Sequence, residues 1–315
     1  MSKRPLIDQL EEAINRIIAD PGAADVSVDP AVVDLLHLAR DLRELPRPNF
    51  RAALKSDLER KILMTTTTVA LRPGFRTITP YLLPPGPEFI DFLKRVFDAE
   101  ETERTETGPG RFHAEFRIGD SMLMVGIGSG RHIPGTFIVY VKNADETYRR
   151  ALEAGATSLA EITENYGDRF GVVRDAAGNG WCIATYLGRQ PIVAQEQLNT
   201  ITTSFGVAGS ARFIQFLNQA FNAEEVIRYD SSGSEVIHAK VRIGNSVIAI
   251  GEARSPEQAK PVMIYMYVDD CDAMYDQALR AGAKSISPVA NQFYGDRHGG
   301  VEDAWGNHWY IATPL

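Results

Sequence analysis

Apolar positions along this chain recur with two periods, one helical and one alternating. Phe89, Phe92, Leu93, Val96 and Phe97 fall on a single helical stripe, which predicts an amphipathic helix over residues 88–97. Residues 77–83 alternate and end at a Pro/Gly cluster, predicting a strand ahead of that helix. Residues 113–118 and 121–125 follow as β-patterned runs joined through Gly119-Asp120, a good two-residue hairpin turn. The cycle then starts again. Residues 136–141 read as a strand, residues 144–154 as a helix stopped by Gly155, and two short strands meet near the turn from Asp175 to Asn179. The last of these runs through residues 181–185. The unit is strand, helix and three strands, performed twice.

The whole pattern is itself repeated further along the chain. FIDFLKRVFDAEETER from Phe89 matches FIQFLNQAFNAEEVIR from Phe213 at nine of sixteen positions, an offset of 213 − 89 = 124. FHAEFRIGDSMLMVG pairs with IHAKVRIGNSVIAIG, and ALEAGATS pairs with ALRAGAKS. YGDRFGVVRDAAGNGWCIAT from Tyr166 pairs with YGDRHGGVEDAWGNHWYIAT from Tyr294, where the offset is 294 − 166 = 128. Four blocks in one order at nearly constant spacing define a duplicated domain, at residues 73–188 and 198–315, with a linker at 188–197. Residues 1–72 differ in kind and carry three helical patterns, at 6–18, 32–45 and 50–63. This helical segment either packs against the tandem or binds a partner.

Composition narrows the class. With 44% hydrophobic and 23% charged residues, the chain reads as an ordinary soluble globular protein. Its two cysteines, Cys182 and Cys271, are too few for a disulfide framework, so a reducing compartment, the cytoplasm, is expected. The scattered charges of the first twenty residues offer neither a signal-peptide core nor a membrane span. A net charge of −8 speaks against nucleic acid as the main partner and leans toward cationic or neutral small molecules.

Taken together, ITPYLL, FIDFLKRVFDAEE, HAEFRIGDSMLM, FIVYVKNADE and the two blocks YGDR-x-G and D-x-x-G-N-x-W resemble the vicinal oxygen chelate superfamily, in its PhnB-like, glyoxalase/bleomycin-resistance branch. The resemblance implies an α+β fold of tandem domains, each of two βαβββ modules forming a cupped mixed sheet. It also implies that the two domains pair within the chain, leaving a monomer or a weak homodimer. In the family's metalloenzymes a divalent ion is held by His, Gln or Glu on the first, fourth, fifth and eighth strands. Here those places fall at residues 77–80 and 202–204, at Ile127 and Glu252, at Thr136 and Met263, and at Cys182 and Tyr310. A lone carboxylate does not chelate, so no metal or other cofactor is expected.

Several residues remain as candidates for chemistry. His113 and His238 share one strand position, as cup-lining acid/base groups or as strand histidines bonded to backbone. In the repeated loops, Tyr166, Asp168 and Arg169, with Tyr294, Asp296 and Arg297, either anchor a ligand or hold the loop together. Trp181 and Trp309 on the closing strands line a cup or pack. The second copy alone is rich in ionisable groups near its end, and Glu252, His298, Glu302 and His308 are the candidates for a nonstandard metal site. The expected function is metal-independent binding of a small molecule in the cup. The alternative is a lyase or isomerase using an unusual acid/base or divalent-metal site.

Overall fold

The structure is a computed structural model that describes residue 72 and residues 74–165, 167–188, 199–231 and 236–315. The three helices expected before residue 72, Tyr166 and most of the linker lie outside the described residues. Every described element belongs to one compact unit, Thr68–Leu315.

Four βαβββ modules follow one another. The first holds β1 (Ile78–Leu82), α1 (Glu88–Phe97), β2 (Glu100–Gly108), β3 (Arg111–Ile118) and β4 (Ser121–Ile127). The second holds β5 (Thr136–Tyr140), α2 (Ala144–Glu153), β6 (Thr157–Asn165), β7 (Asp168–Arg174) and β8 (Gly180–Tyr186). The third holds β9 (Ile201–Val207), α3 (Ser210–Phe221), β10 (Glu224–Asp230), β11 (Val236–Ile243) and β12 (Ser246–Glu252). The fourth holds β13 (Met263–Tyr267), α4 (Cys271–Arg280), β14 (Lys284–Asn291), β15 (Asp296–Glu302) and β16 (His308–Pro314).

The helices form where the sequence places an apolar stripe and a stop. In α1 the residues Phe89, Phe92, Leu93, Val96 and Phe97 are buried, and Asp98 ends the helix in the left-handed region at φ 54°. Asn222 does the same after α3, also at φ 54°. Asn143 and Asp270 cap α2 and α4 by accepting from the backbone N–H of Glu146 and Ala273.

Two eight-stranded mixed sheets result, and neither belongs to one copy. The first runs β14-β15-β16-β13-β1-β4-β3-β2, so it joins the first module to the fourth. The second runs β10-β11-β12-β9-β5-β8-β7-β6 and joins the third to the second. The seams are antiparallel, β1 on β13 and β5 on β9. Pairing between the copies completes both sheets. The cores, by contrast, follow the copies. One gathers α1, α2 and the strand residues Phe116, Leu123, Phe137, Val173, Trp181 and Ile183 of the first copy. The other gathers α3, α4 and their counterparts in the second. One residue from each copy crosses over, Ile78 into the second core and Ile201 into the first.

The hairpin turns fasten this exchange. Thr77 N–H donates to Asn245 Oδ1 at 2.8 Å and Ile78 N–H to Ser246 Oγ at 2.9 Å. In mirror fashion, Thr200 N–H donates to Asp120 Oδ1 at 2.8 Å and Ile201 N–H to Ser121 Oγ at 3.0 Å. Gly119 and Gly244 sit at φ +59° and +56°, and an added Cβ would lie 2.3 and 2.2 Å from the Thr200 and Thr77 hydroxyls. Only glycine allows that approach.

Candidate functional site

Alternate strand residues point to opposite faces, and one set enters the cores beneath the helices. The other set shares the helix-free face of each sheet. Across the first sheet this face carries His113 and Glu115 on β3, Met122 and Met124 on β4, Tyr81 on β1, Tyr265 and Tyr267 on β13, His308 and Tyr310 on β16, and His298 on β15. Phe75, Met122, Met124, Tyr265 and Tyr267 form a small apolar cluster there, flanked by Tyr81 and Tyr310.

Most polar groups on this face satisfy one another. Tyr265 donates to Asp296 Oδ2 at 2.7 Å and Tyr267 to the same oxygen at 3.4 Å. Tyr81 meets His113 Nδ1 at 3.1 Å, and His113 Nε2 lies 3.5 Å from Glu115 Oε1. Arg72 forks onto both Glu115 oxygens at 2.6 and 2.8 Å and reaches Glu103 at 2.6 Å. Burial acts to raise the Glu115 pKa, but the bonds from His113 and Arg72 outweigh it and hold the carboxyl below its ordinary range. Burial likewise pushes the Tyr81 phenol up to about 12, so it stays a hydrogen-bond donor.

The ionisable cluster at the end of the second copy separates into two groups. His298 Nε2 bonds the Tyr294 hydroxyl at 2.6 Å, while its Nδ1 is buried with no hydrogen-bond partner among the described residues. His308 bonds Glu302 at 3.2 Å through Nε2 and Arg131 at 3.1 Å through Nδ1. Burial first, and then Arg131, lowers the His308 pKa. Glu252 turns away from all of them and accepts from the Gly209 and Ser210 N–H groups at 2.7 and 2.8 Å, closing the start of α3. Among the described residues no group of three or more His, Cys, Asp or Glu side chains is placed to hold a metal ion. The strand positions implied by the resemblance do not fit one either. The first sheet brings Thr79, Met263 and Tyr310 together, and the second brings Thr202, Thr136 and Cys182.

The repeated motifs resolve into structural and facing parts. Asp303 accepts from Trp305 and Asn307 N–H, from Asn307 Nδ2 and from Trp309 Nε1 at 2.8–3.0 Å. Asp175 does the same for Asn179 and Trp181. Trp181 and Trp309 are wholly buried, packed on Phe97 and Phe137 and on Phe205 and Phe221, so they line no cup. The loop arginines also face outward. Arg169 forks onto Asp145 at the start of α2, and Arg297 onto Asp272 of α4. Asp168 and Asp296 point the other way, each to the helix-free face, where Asp168 accepts from Tyr140 at 3.0 Å.

The second sheet presents the same positions with different side chains. Val247 and Ala249 stand where the first sheet has Met122 and Met124, and Ser204 and Gly206 where it has Tyr81 and Leu83. Ile138, Cys182 and Gly180 stand for Tyr265, Tyr310 and His308, and Lys240 stands for Glu115. The backbone carbonyl of Gln258 covers Gly206 and would lie 2.0 Å from a Cβ there. His238 keeps the place of His113, with its pKa lowered by burial and then by Lys240. Motif reading missed Lys240, although the aligned blocks FHAEFRIG and IHAKVRIG already set it against Glu115.

Comparison with known proteins agrees with this architecture. Residues 198–311 match the family model of the Glyoxalase/Bleomycin resistance protein/Dioxygenase superfamily. Uncharacterised proteins of Mycobacterium bovis and Mycobacterium tuberculosis are 32% identical over 120 residues, covering 35% of this chain and 79% and 71% of theirs. Glyoxalase I of Zea mays superposes with a TM-score of 0.57 at 10% identity, covering 75% of this chain and 92% of that one. A putative dioxygenase of Bacillus subtilis superposes with a TM-score of 0.51 at 14% identity, over 75% and 84% of the two chains. At such identities these structures speak for the fold alone. By its duplicated βαβββ modules, its two mixed sheets and the family match over the second copy, the chain belongs to the Glyoxalase/Bleomycin resistance protein/Dioxygenase superfamily.

Proposed function

We propose that this protein is a cytoplasmic, PhnB-like binding member of the superfamily that holds a small molecule, without a metal ion, on the helix-free face of the second sheet. One observation carries the reading: the chain serves as its own control. At seven matched positions the first sheet has Met122, Met124, Tyr81, Leu83, Tyr265, Tyr310 and His308, and the second has Val247, Ala249, Ser204, Gly206, Ile138, Cys182 and Gly180. Each of these seven exchanges is toward the smaller side chain, while on the outer strand of the same face Phe170 and Val172 of β7 stand where β15 has His298 and Gly300. Ile138 and Gly180 are half-buried where Tyr265 and His308 are buried, while Val247 and Ala249 are as buried as Met122 and Met124. A concave, mostly apolar surface with a few polar groups is the ordinary setting of a small-molecule site. The lyase or isomerase alternative has less support, since His113 has both ring nitrogens engaged.

Thermal-shift screening of the full chain against small organic molecules tests this. Ala249→Met and Cys182→Tyr give the second sheet bulk like that of the first. The expected result is a stabilising ligand for the wild type whose effect both variants abolish without lowering the unliganded Tm by more than a few degrees. A ligand that stabilises both variants as well as it does the wild type would place its site elsewhere.

A further inference from the structure

Building on the site assigned above, we infer that its ligand is a small organic anion, a carboxylate or comparable oxyanion on a compact apolar body, with Lys240 as the counter-charge. In the first sheet, Glu115, Met124 and Tyr81 lie in one row across β3, β4 and β1, and Glu115 is neutralised by Arg72. The corresponding row of the second sheet is Lys240, Ala249 and Ser204. None of the described residues plays the part of Arg72. Among the described residues Lys240 makes neither a hydrogen bond nor an ion pair. The acid in electrostatic reach is Asp168, whose Oδ2 accepts from Tyr140.

A half-buried ammonium with no close partner has lost part of its hydration without replacement, and a carboxylate beside it would restore that loss. A second group points the same way. Thr202, two residues before Ser204 on the same face, is 2% exposed, and its hydroxyl has no hydrogen-bond partner among the described residues. Lys240 and the Thr202 and Ser204 hydroxyls supply donors for one oxyanion, while the half-buried Ile138 and Val172 supply the apolar wall, with Ala249 buried beneath. The net charge of −8 does not oppose this, because exposed charges beyond about 8 Å are screened at physiological ionic strength.

The test compares matched pairs, benzoate with benzamide, phenylacetate with phenylacetamide and butyrate with butyramide, by calorimetry on the full chain. Each is measured on the wild type, Lys240→Met, Lys240→Arg and Ala249→Met. Acids are expected to bind about tenfold or more tighter than their amides. Lys240→Met should erase the preference, Lys240→Arg should retain much of it, and Ala249→Met should remove binding altogether. Equal binding of acid and amide to the wild type, blocked by Ala249→Met, would overturn the anion and leave the site standing. An acid preference that Lys240→Met leaves intact would also overturn it. If no pair, acid or amide, binds in a way that Ala249→Met abolishes, the site itself is refuted. The wild-type acid–amide ratio needs no variant, so misfolding of Lys240→Met does not shield the inference.

Discussion

At the scale of single residues, Glu115 shows how this fold handles a buried charge. Its side chain is 3% exposed, and it is retained as a carboxylate because Arg72 and His113 surround it. Replacing it by Gln leaves Arg72 with a weaker acceptor, and we expect a loss of about 1–3 kcal/mol at neutral pH. The pH dependence follows from the direction of the shift. The folded-state pKa lies below the ordinary value of 4.5, so the contribution is fully present above that value and is lost as pH falls through the folded pKa. Denaturant titrations at a series of pH values should show wild type and Glu115→Gln converging on the acid side. A stability gap that stays constant from neutral to acid pH would show that the carboxylate charge is not the cause. Lys240, at the matching position, has no such partners among the described residues, and that contrast separates a structural charge from a candidate binding charge.

At the scale of elements, the D-x-x-x-N-x-W segment acts as a clasp. Asp303 is 4% exposed and gathers four donors from the turn and from Trp309. Asp303→Ala strands those donors, and we expect a loss on the order of 3 kcal/mol, read as a lower denaturant midpoint with Trp309 fluorescence as the probe. An unchanged midpoint would mean that the clasp is dispensable. The block that best identifies the family is thus a fastening, which is why recognising it revealed the fold and little of the chemistry. Helices and inner strands were legible because each has an apolar face to bury: α1 spans Glu88–Phe97 as its stripe predicts. The outer strands were harder to read. EETERTETG forms β2 at the end of the first sheet, and TSLAEITEN forms β6 at the end of the second, both largely exposed, so burial leaves little imprint on their sequences. The site was hidden for another reason. Lys240 lies between β10 and β12 of its own module, but Ile138, Val172 and Cys182 join its face only across the seam of β9 on β5, which is set by contacts distant in sequence.

At the scale of the molecule, the two copies exchange sheet partners while keeping their own cores, and the exchange makes each copy dependent on the other. Residues 198–315 alone would keep their core but would leave β9 without β5 and β13 without β1. Both are inner strands; in β13 every residue is buried, so its free edge would expose backbone donors and acceptors together with apolar side chains. Since β9 and β13 occupy the places that β1 and β5 hold in the first copy, each can serve as the other's missing partner in a second molecule. Two copies of residues 198–315 would then rebuild both seams, β9 of one on β13 of the other, in the antiparallel sense seen in the full chain. The Asn245 turn would again have a neighbour to fasten, because Thr200 of the partner copy offers the same hydroxyl as Thr77. Size-exclusion chromatography with light scattering should therefore give this segment twice its sequence mass, with dissociation on dilution accompanied by unfolding. A well-folded monomer at micromolar concentration would show that the seams are incidental to stability and that each copy is complete by itself.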